Sequence, residues 1–237
     1  MVVAAALTVA ATVVAGWGAL GHGKAVLTAA LRALAQLAAV ALVITVVLER
    51  LPLTAAFLAV MATIATVTAG RRITKGAGWW WASVPILAGT VPALGVVLAT
   101  GVVPPRGVAL VPIGGILIGG AMTATALSGR RAADELTTRK GEIEAALALG
   151  MLPHRAVLEV CRPAAATSLL PVIDQTRTVG LVTLPGAFVG MLLGGATPLE
   201  AAAVQLLVLV SLLGVQGAAV LVTVWILAAG RFFPVPR

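Results

Sequence analysis

AVLTAALRALAQLAAVALVITVVLERLPLTAAFLAVMATIATVTAG, residues 25–70, decides the fold. Two apolar runs, 25–48 and 51–70, are parted only by Glu49 and Arg50, and Arg32 is the single charge inside them. A bilayer-crossing helix takes about 20 consecutive mostly apolar residues, so this stretch reads as two membrane helices joined by a tight connection. Working outward, further runs fall at 2–20, 79–100, 107–128, 168–194 and 198–229. The expected fold is all-α: a polytopic integral membrane protein with about seven transmembrane helices in one domain over residues 1–237.

Composition agrees. Of 237 residues 60% are hydrophobic and 10% charged, against roughly 45–50% and about 25% in a soluble domain. About 142 hydrophobic residues supply about seven spans and leave too little chain for a separate catalytic domain. Chemistry that needs such a domain belongs to a partner. The net charge of +8 does not point to nucleic acid, because the basic residues are scattered between apolar runs. One cysteine, Cys161, excludes an intramolecular disulfide framework.

Positive charge orients the spans, since cytoplasmic loops carry the Lys and Arg excess. With the C-terminus in the cytoplasm, Lys24, Arg71, Arg72, Lys75, Arg130, Arg131, Arg139, Lys140, Arg155, Arg162, Arg231 and Arg237 are inside. Only Arg50 and Arg106 are then outside. Seven spans place the N-terminus outside, and the opening MVVAAALTVAATVVAG has no positive segment of the kind that starts a cleaved signal peptide. Trp79, Trp80 and Trp81, where the fourth span begins, read as an interfacial aromatic belt.

Residues 129–167 form the expected cytoplasmic loop and carry five of the eight acidic residues, Asp134, Glu135, Glu142, Glu144 and Glu159. Within it Ile143, Ala146, Leu147, Gly150 and Met151 follow helical spacing with one apolar stripe. Gly150 is placed to stop that helix in a left-handed cap, and Pro153 to start a second helix reaching the residue before Pro163. Two short helices joined by an elbow result. Glu144, Ala145 and Ala146, then Gly150, Val160 and Pro163, stand at the spacing of the Glu-Ala-Ala coupling motif, and the string resembles that motif of ABC-transporter membrane subunits. Arg162 departs from it, standing where the motif has Leu.

PVIDQTRTVGLVTLPGAFVGMLLGGATP at 171–198, LVPIGGILIGGAMTATAL at 110–127 and LRALAQLAAV at 31–40 extend the likeness. With these the chain resembles the FetB-type permease family, bacterial iron-export permeases with plant relatives linked to aluminium tolerance. The resemblance implies a multi-pass permease of the bacterial inner membrane, working as a homodimer in membrane lipid with a separate FetA-like ABC ATPase subunit. It implies export of iron or a related metal or solute. ATP and Mg are then bound by the ATPase and no cofactor by this chain, which is not itself an enzyme.

Polar groups inside spans are costly and are candidates for function. Arg32 and Gln36 share a face of the second span, and Asp174 and Arg177 are close enough to pair in the sixth. They form a candidate transport path or gate; the plainer reading is a neutralised structural pair and an arginine that snorkels to the interface. Gly186, Gly190 and Gly194 repeat every fourth residue, as do Gly115 and Gly119, which marks them as candidate helix-packing positions. Pro185 marks the sixth span as kinked or broken.

Gly18, Gly23 and Lys24 have phosphate-loop spacing, but Ala25 replaces the magnesium-binding Ser or Thr. No ATP site is expected there. His22, His154, Cys161, Met61, Met122, Met151 and Met191 show no ligand spacing, so no resident metal is expected. Rival readings are a secondary transporter driven by an ion gradient and an intramembrane enzyme. The first lacks a half-to-half repeat, and the second lacks a catalytic set within the spans.

Overall fold

A computed structural model describes residues 2–17 and 23–233. Gly18, His22 and Arg237 lie outside the described residues. The chain divides into two compact units, residues 1–50 and 51–237. In the first, α1 (Val2–Trp17) packs on α2 (Gly23–Glu49). None of α2's side chains is buried, a surface that only lipid or a protein neighbour solvates.

Six segments among the described residues are long and apolar enough to cross a membrane: Gly23–Glu49, Leu51–Ile73, Ala77–Ala99, Gly107–Thr138, Pro153–Thr178 and Pro198–Ala228. The expected first span is represented by α1, whose 16 residues extend about 24 Å against a hydrocarbon core of about 30 Å.

The second unit starts with α3 (Leu51–Ile73), then a 3₁₀ turn over Ala77–Ala82 that runs into α4 (Ser83–Ala99). It continues with α5 (Gly107–Thr138), the short α6 (Lys140–Ala148), α7 (Pro153–Ala166), a 3₁₀ turn over Thr167–Leu169, and α8 (Leu170–Thr178). The last two helices are α9 (Gly186–Leu193) and α10 (Pro198–Ala228). Thr197 and Glu200 close a capping box that starts α10, with Pro198 in the first turn, the pattern expected of Thr-Pro-x-Glu.

Glycines set how closely these helices approach. Gly114 meets Leu58 and Gly129 meets Ile73, so α3 and α5 run side by side in the same direction. Gly89 of α4 faces the Val215 backbone of α10, and Gly78 faces Arg231, so this pair is antiparallel. The α3 C-terminus reaches the same end, where Gly70 lies against the Trp79 backbone. There the Arg71 guanidinium sits 5.3 Å from the Trp79 ring centre and Arg231 4.8 Å from that of Trp81, cation–π contacts at the belt position. Some buried hydroxyls bond back to their own helix: Thr90 Oγ1 donates to the Ile86 carbonyl at 2.7 Å and Thr223 Oγ1 to that of Ala219 at 2.6 Å. That satisfies them without a partner helix.

The sixth span is broken, as Pro185 led one to expect, but two other expectations need correction. Its helices do not keep the bounds 168–194. α7, the 3₁₀ turn and α8 make a 26-residue rod from Pro153 to Thr178; the chain leaves helical form at Val179 and resumes at Gly186, capped by Pro185. The break satisfies part of its own backbone. The Thr178 carbonyl accepts N–H groups from Leu181, Val182 and Thr183 at 3.3, 2.9 and 3.4 Å, and Gly180, at φ +83°, donates to the Thr183 carbonyl at 2.8 Å. Pro163, expected just beyond the end of a helix, stands inside α7. Its missing N–H strands the Glu159 carbonyl, but both residues lie on the exposed face, where solvent can take up that group.

Candidate functional site

α5 has 32 residues and is about 48 Å long, so part of it projects beyond a core of about 30 Å. Its last turns carry Asp134 and Glu135, and Arg139 caps its end. The loop expected over 129–167 is accordingly a helical hairpin: the end of α5, α6, and the start of α7.

α6 ends as its sequence dictates. Gly150 takes φ +83°; its N–H donates to the Leu147 carbonyl at 2.9 Å and that of Met151 to Ala146 at 3.0 Å, a Schellman closure. A side chain at Gly150 would meet nothing within 4 Å, so the backbone conformation alone selects glycine. Leu152 is extended and caps α7, whose first residue is Pro153.

The apolar stripe is divided. Ile143 is buried, and Ala146 and Leu147 are partly buried against the core. The tip is not covered: Leu149 is 89% exposed, Met151 41% and Leu152 56%. Three exposed apolar side chains at the end of a charged hairpin form a knob suited to a groove in another protein. Glu144 and Ala145 face outward on the same helix, with Glu144 Oε1 3.4 Å from Lys140 Nζ.

Ion pairs brace the base. Arg139 Nε donates to Glu142 Oε1 at 2.7 Å, and Arg139 Nη1 lies 3.8 Å from Glu135 Oε2. The Arg139 hydrogen bond holds the Glu142 carboxyl below its ordinary range and raises Arg139. A carboxylate with a depressed folded pKa contributes stability above the ordinary carboxylate range, and that contribution is lost as pH falls through the folded value. We therefore expect the protection of α6 amides, taken relative to their intrinsic exchange rate, to fall on acidification. In Glu142→Gln this loss should be smaller, since only the pairs of Glu135 and Glu144 still titrate; an equal loss of protection in that variant would remove the pair from the brace.

α7 is fixed to α5 along its buried face. Ala156, Val157, Val160, Cys161 and Ala165 are buried, the Cys161 thiol donates to the Ala132 carbonyl at 3.4 Å, and Arg131 Nη1 donates to Thr167 Oγ1 at 2.6 Å. The rod from Pro153 to Thr178 thus links the hairpin directly to the helix break.

The other sequence candidates are spread out. Asp174 and Arg177 do meet, Oδ1 to Nη1 at 3.5 Å, but on a face where their side chains are 65% and 74% exposed. Arg32 and Gln36 are exposed on α2, within the first unit. A side chain at Gly186, Gly190 or Gly119 would meet no other helix within 4 Å, and Gly194 touches only its own turn. Gly115 lies near Met61. Within this chain the close approaches are at Gly70, Gly89, Gly114, Gly120 and Gly129, which were not singled out. Among the described residues no group of three or more His, Cys, Asp or Glu side chains is placed to hold a metal ion.

Sequence reasoning also missed Gln205 and Gln216. Both are buried in α10, and Gln205 Oε1 has no hydrogen-bond partner. Their separation of eleven residues puts them on one face after three turns, a legible signal in an otherwise apolar span.

A family model described as "Uncharacterised protein family (UPF0014)" matches residues 1–233. The UPF0014 membrane protein STAR2 of Oryza sativa subsp. japonica is 39% identical over 155 residues, 65% of this chain and 54% of that protein. Protein ALUMINUM SENSITIVE 3 of Arabidopsis thaliana is 39% identical over 155 residues, 65% of this chain and 57% of its own. The probable iron export permease protein FetB of Escherichia coli (strain K12) is 33% identical over 104 residues, 44% of this chain and 40% of its own. The aligned stretch spans about half the length of the two plant relatives. No solved structure matches the chain.

Proposed function

The chain belongs to the UPF0014 family, and from that premise we propose that it is the membrane-spanning subunit of an ABC transporter. It moves iron or a related metal or solute out of the cell with energy from a separate ATPase, which binds the ATP and Mg. The observation that carries this reading is the hairpin tip: Leu149, Met151 and Leu152 are exposed beside the Glu144–Gly150 coupling string. Such a knob docks in a groove of the ATPase. When nucleotide closes two ATPases on each other, the push enters at α6, passes along the rod Pro153–Thr178, and ends at the non-helical segment 179–185. Those few residues bend without breaking a helix ladder. Two copies of the chain pair in the bacterial inner membrane.

Co-expression with an ABC ATPase encoded beside this chain tests the reading. Stable co-purification and metal-stimulated ATP hydrolysis in liposomes are expected. Stable, active transport by this chain alone would defeat it.

The pair Asp174–Arg177 sits on α8, one turn before the break. Because both side chains are mostly exposed, Asp174→Asn should shift stability by no more than about 0.5 kcal/mol while lowering transport several-fold. Unchanged transport in liposomes would take the pair out of the path.

A further inference from the structure

One cleft inside the second unit is lined by polar groups that the mechanism above does not use. It lies between α5, the α7–α8 rod and α10, with a volume of about 340 Å³. Thr123, Ser168, Gln175 and Gln216 line it among apolar neighbours, and among the described residues none with an ionisable side chain does.

The Ser168 hydroxyl is the telling group. Ser168 is 2% exposed and its Oγ, closed off from the open space of the cleft, has no hydrogen-bond partner. A buried hydroxyl left unpaired costs about 1–3 kcal/mol, a penalty that a ligand in the cleft relieves only once the rod carrying Ser168 has shifted. Across from it Gln216 is 9% exposed. Thr123 Oγ1 spends its proton on the Gly119 carbonyl at 3.0 Å and keeps lone pairs to accept with. Gln175 stands on the rod itself, two turns beyond Ser168.

We infer that this cleft is the solute-binding site of the permease and that its occupant is uncharged and rich in oxygen acceptors and donors. The inference rests on the permease reading and specifies the form of the cargo. Hydroxyls and amides satisfy carbonyl, ether and hydroxyl oxygens in either sense. A bare di- or trivalent cation would give up its hydration for a site with no carboxylate, imidazole or thiolate, a desolvation these groups do not repay. A metal therefore crosses inside a neutral complex whose organic oxygens face the protein. Motion of the rod at Ser168 and Gln175 then opens or closes the site directly.

Calorimetric titration of the purified full chain in detergent tests this with three probes: the neutral tris(maltolate) complex of iron(III), its anionic nitrilotriacetate complex, and ferrous ion alone. Saturable binding of the neutral complex is expected, with no saturable binding of the other two. Ser168→Ala and Gln216→Leu should each weaken it about tenfold while leaving the melting midpoint within the range of the parent protein. Preference for the free ion or the anionic complex would overturn the inference. So would failure of all three probes, or undiminished affinity in both folded variants. ATPase co-purification does not depend on the cleft, so the inference can fail while the subunit assignment stands.

Discussion

Replacing Gly89 with alanine should destabilise the second unit by about 1–3 kcal/mol and lower its melting midpoint in detergent. The added methyl would stand 2.6 Å from the Val215 carbonyl oxygen and 3.1 Å from its Cα. Backbone on the far side cannot rotate away as a side chain would, so α4 and α10 must separate. Without a hydrophobic drive between helices in lipid, close van der Waals contact is what such a pair loses. Gly95 supplies the control on the same helix: a methyl there meets nothing within 4 Å, and helix propensity alone makes alanine neutral or stabilising. Equal melting of Gly89→Ala and Gly95→Ala would show that the α4–α10 approach is not tight.

Leu149→Asp should abolish co-purification with the ATPase and leave the melting midpoint of the isolated subunit unchanged. The side chain is 89% exposed, so the fold loses nothing when it becomes polar. A buried carboxylate in the docking groove would cost about 2 kcal/mol or more, at least about thirtyfold in affinity. Gly150→Val separates docking from coupling. The new side chain has space, but φ +83° strains a β-branched residue by about 1–3 kcal/mol, and relief comes by re-aiming α6 against α7. Hydrolysis should then continue while transport falls. Wild-type transport per ATP hydrolysed in that variant would remove the elbow from the mechanism.

Membrane helices were legible because hydropathy is a sum over neighbours in the chain. The elbow was legible for a similar reason: the left-handed cap at Gly150 and the start at Pro153 are set by the conformational limits of those residues. The broken helix was signalled by Pro185, but the loop around it was not, since the Thr178 carbonyl gathers three donors in a way no spacing rule anticipates. Pro163 misled because a proline ends a helix only when the stranded carbonyl lacks solvent or another donor, and here that carbonyl faces outward.

Which glycines touch a neighbour within the chain was legible at Gly115 alone among those the spacing marked. Gly186, Gly190 and Gly194 have the better repeat, yet Gly89 and Gly70, which stand in no such repeat, meet backbone. Spacing says only that small residues share a face. The same holds for polar groups: Asp174 and Arg177 drew notice by charge and proved exposed, whereas Ser168 looked ordinary and is buried without a partner. Local chemistry, read along 237 residues, determined that the chain is built of apolar helices of membrane-crossing length and where its elbow turns. Tertiary structure decided which faces meet and which polar groups are left wanting, because those are relations between residues far apart in the chain and close only after packing.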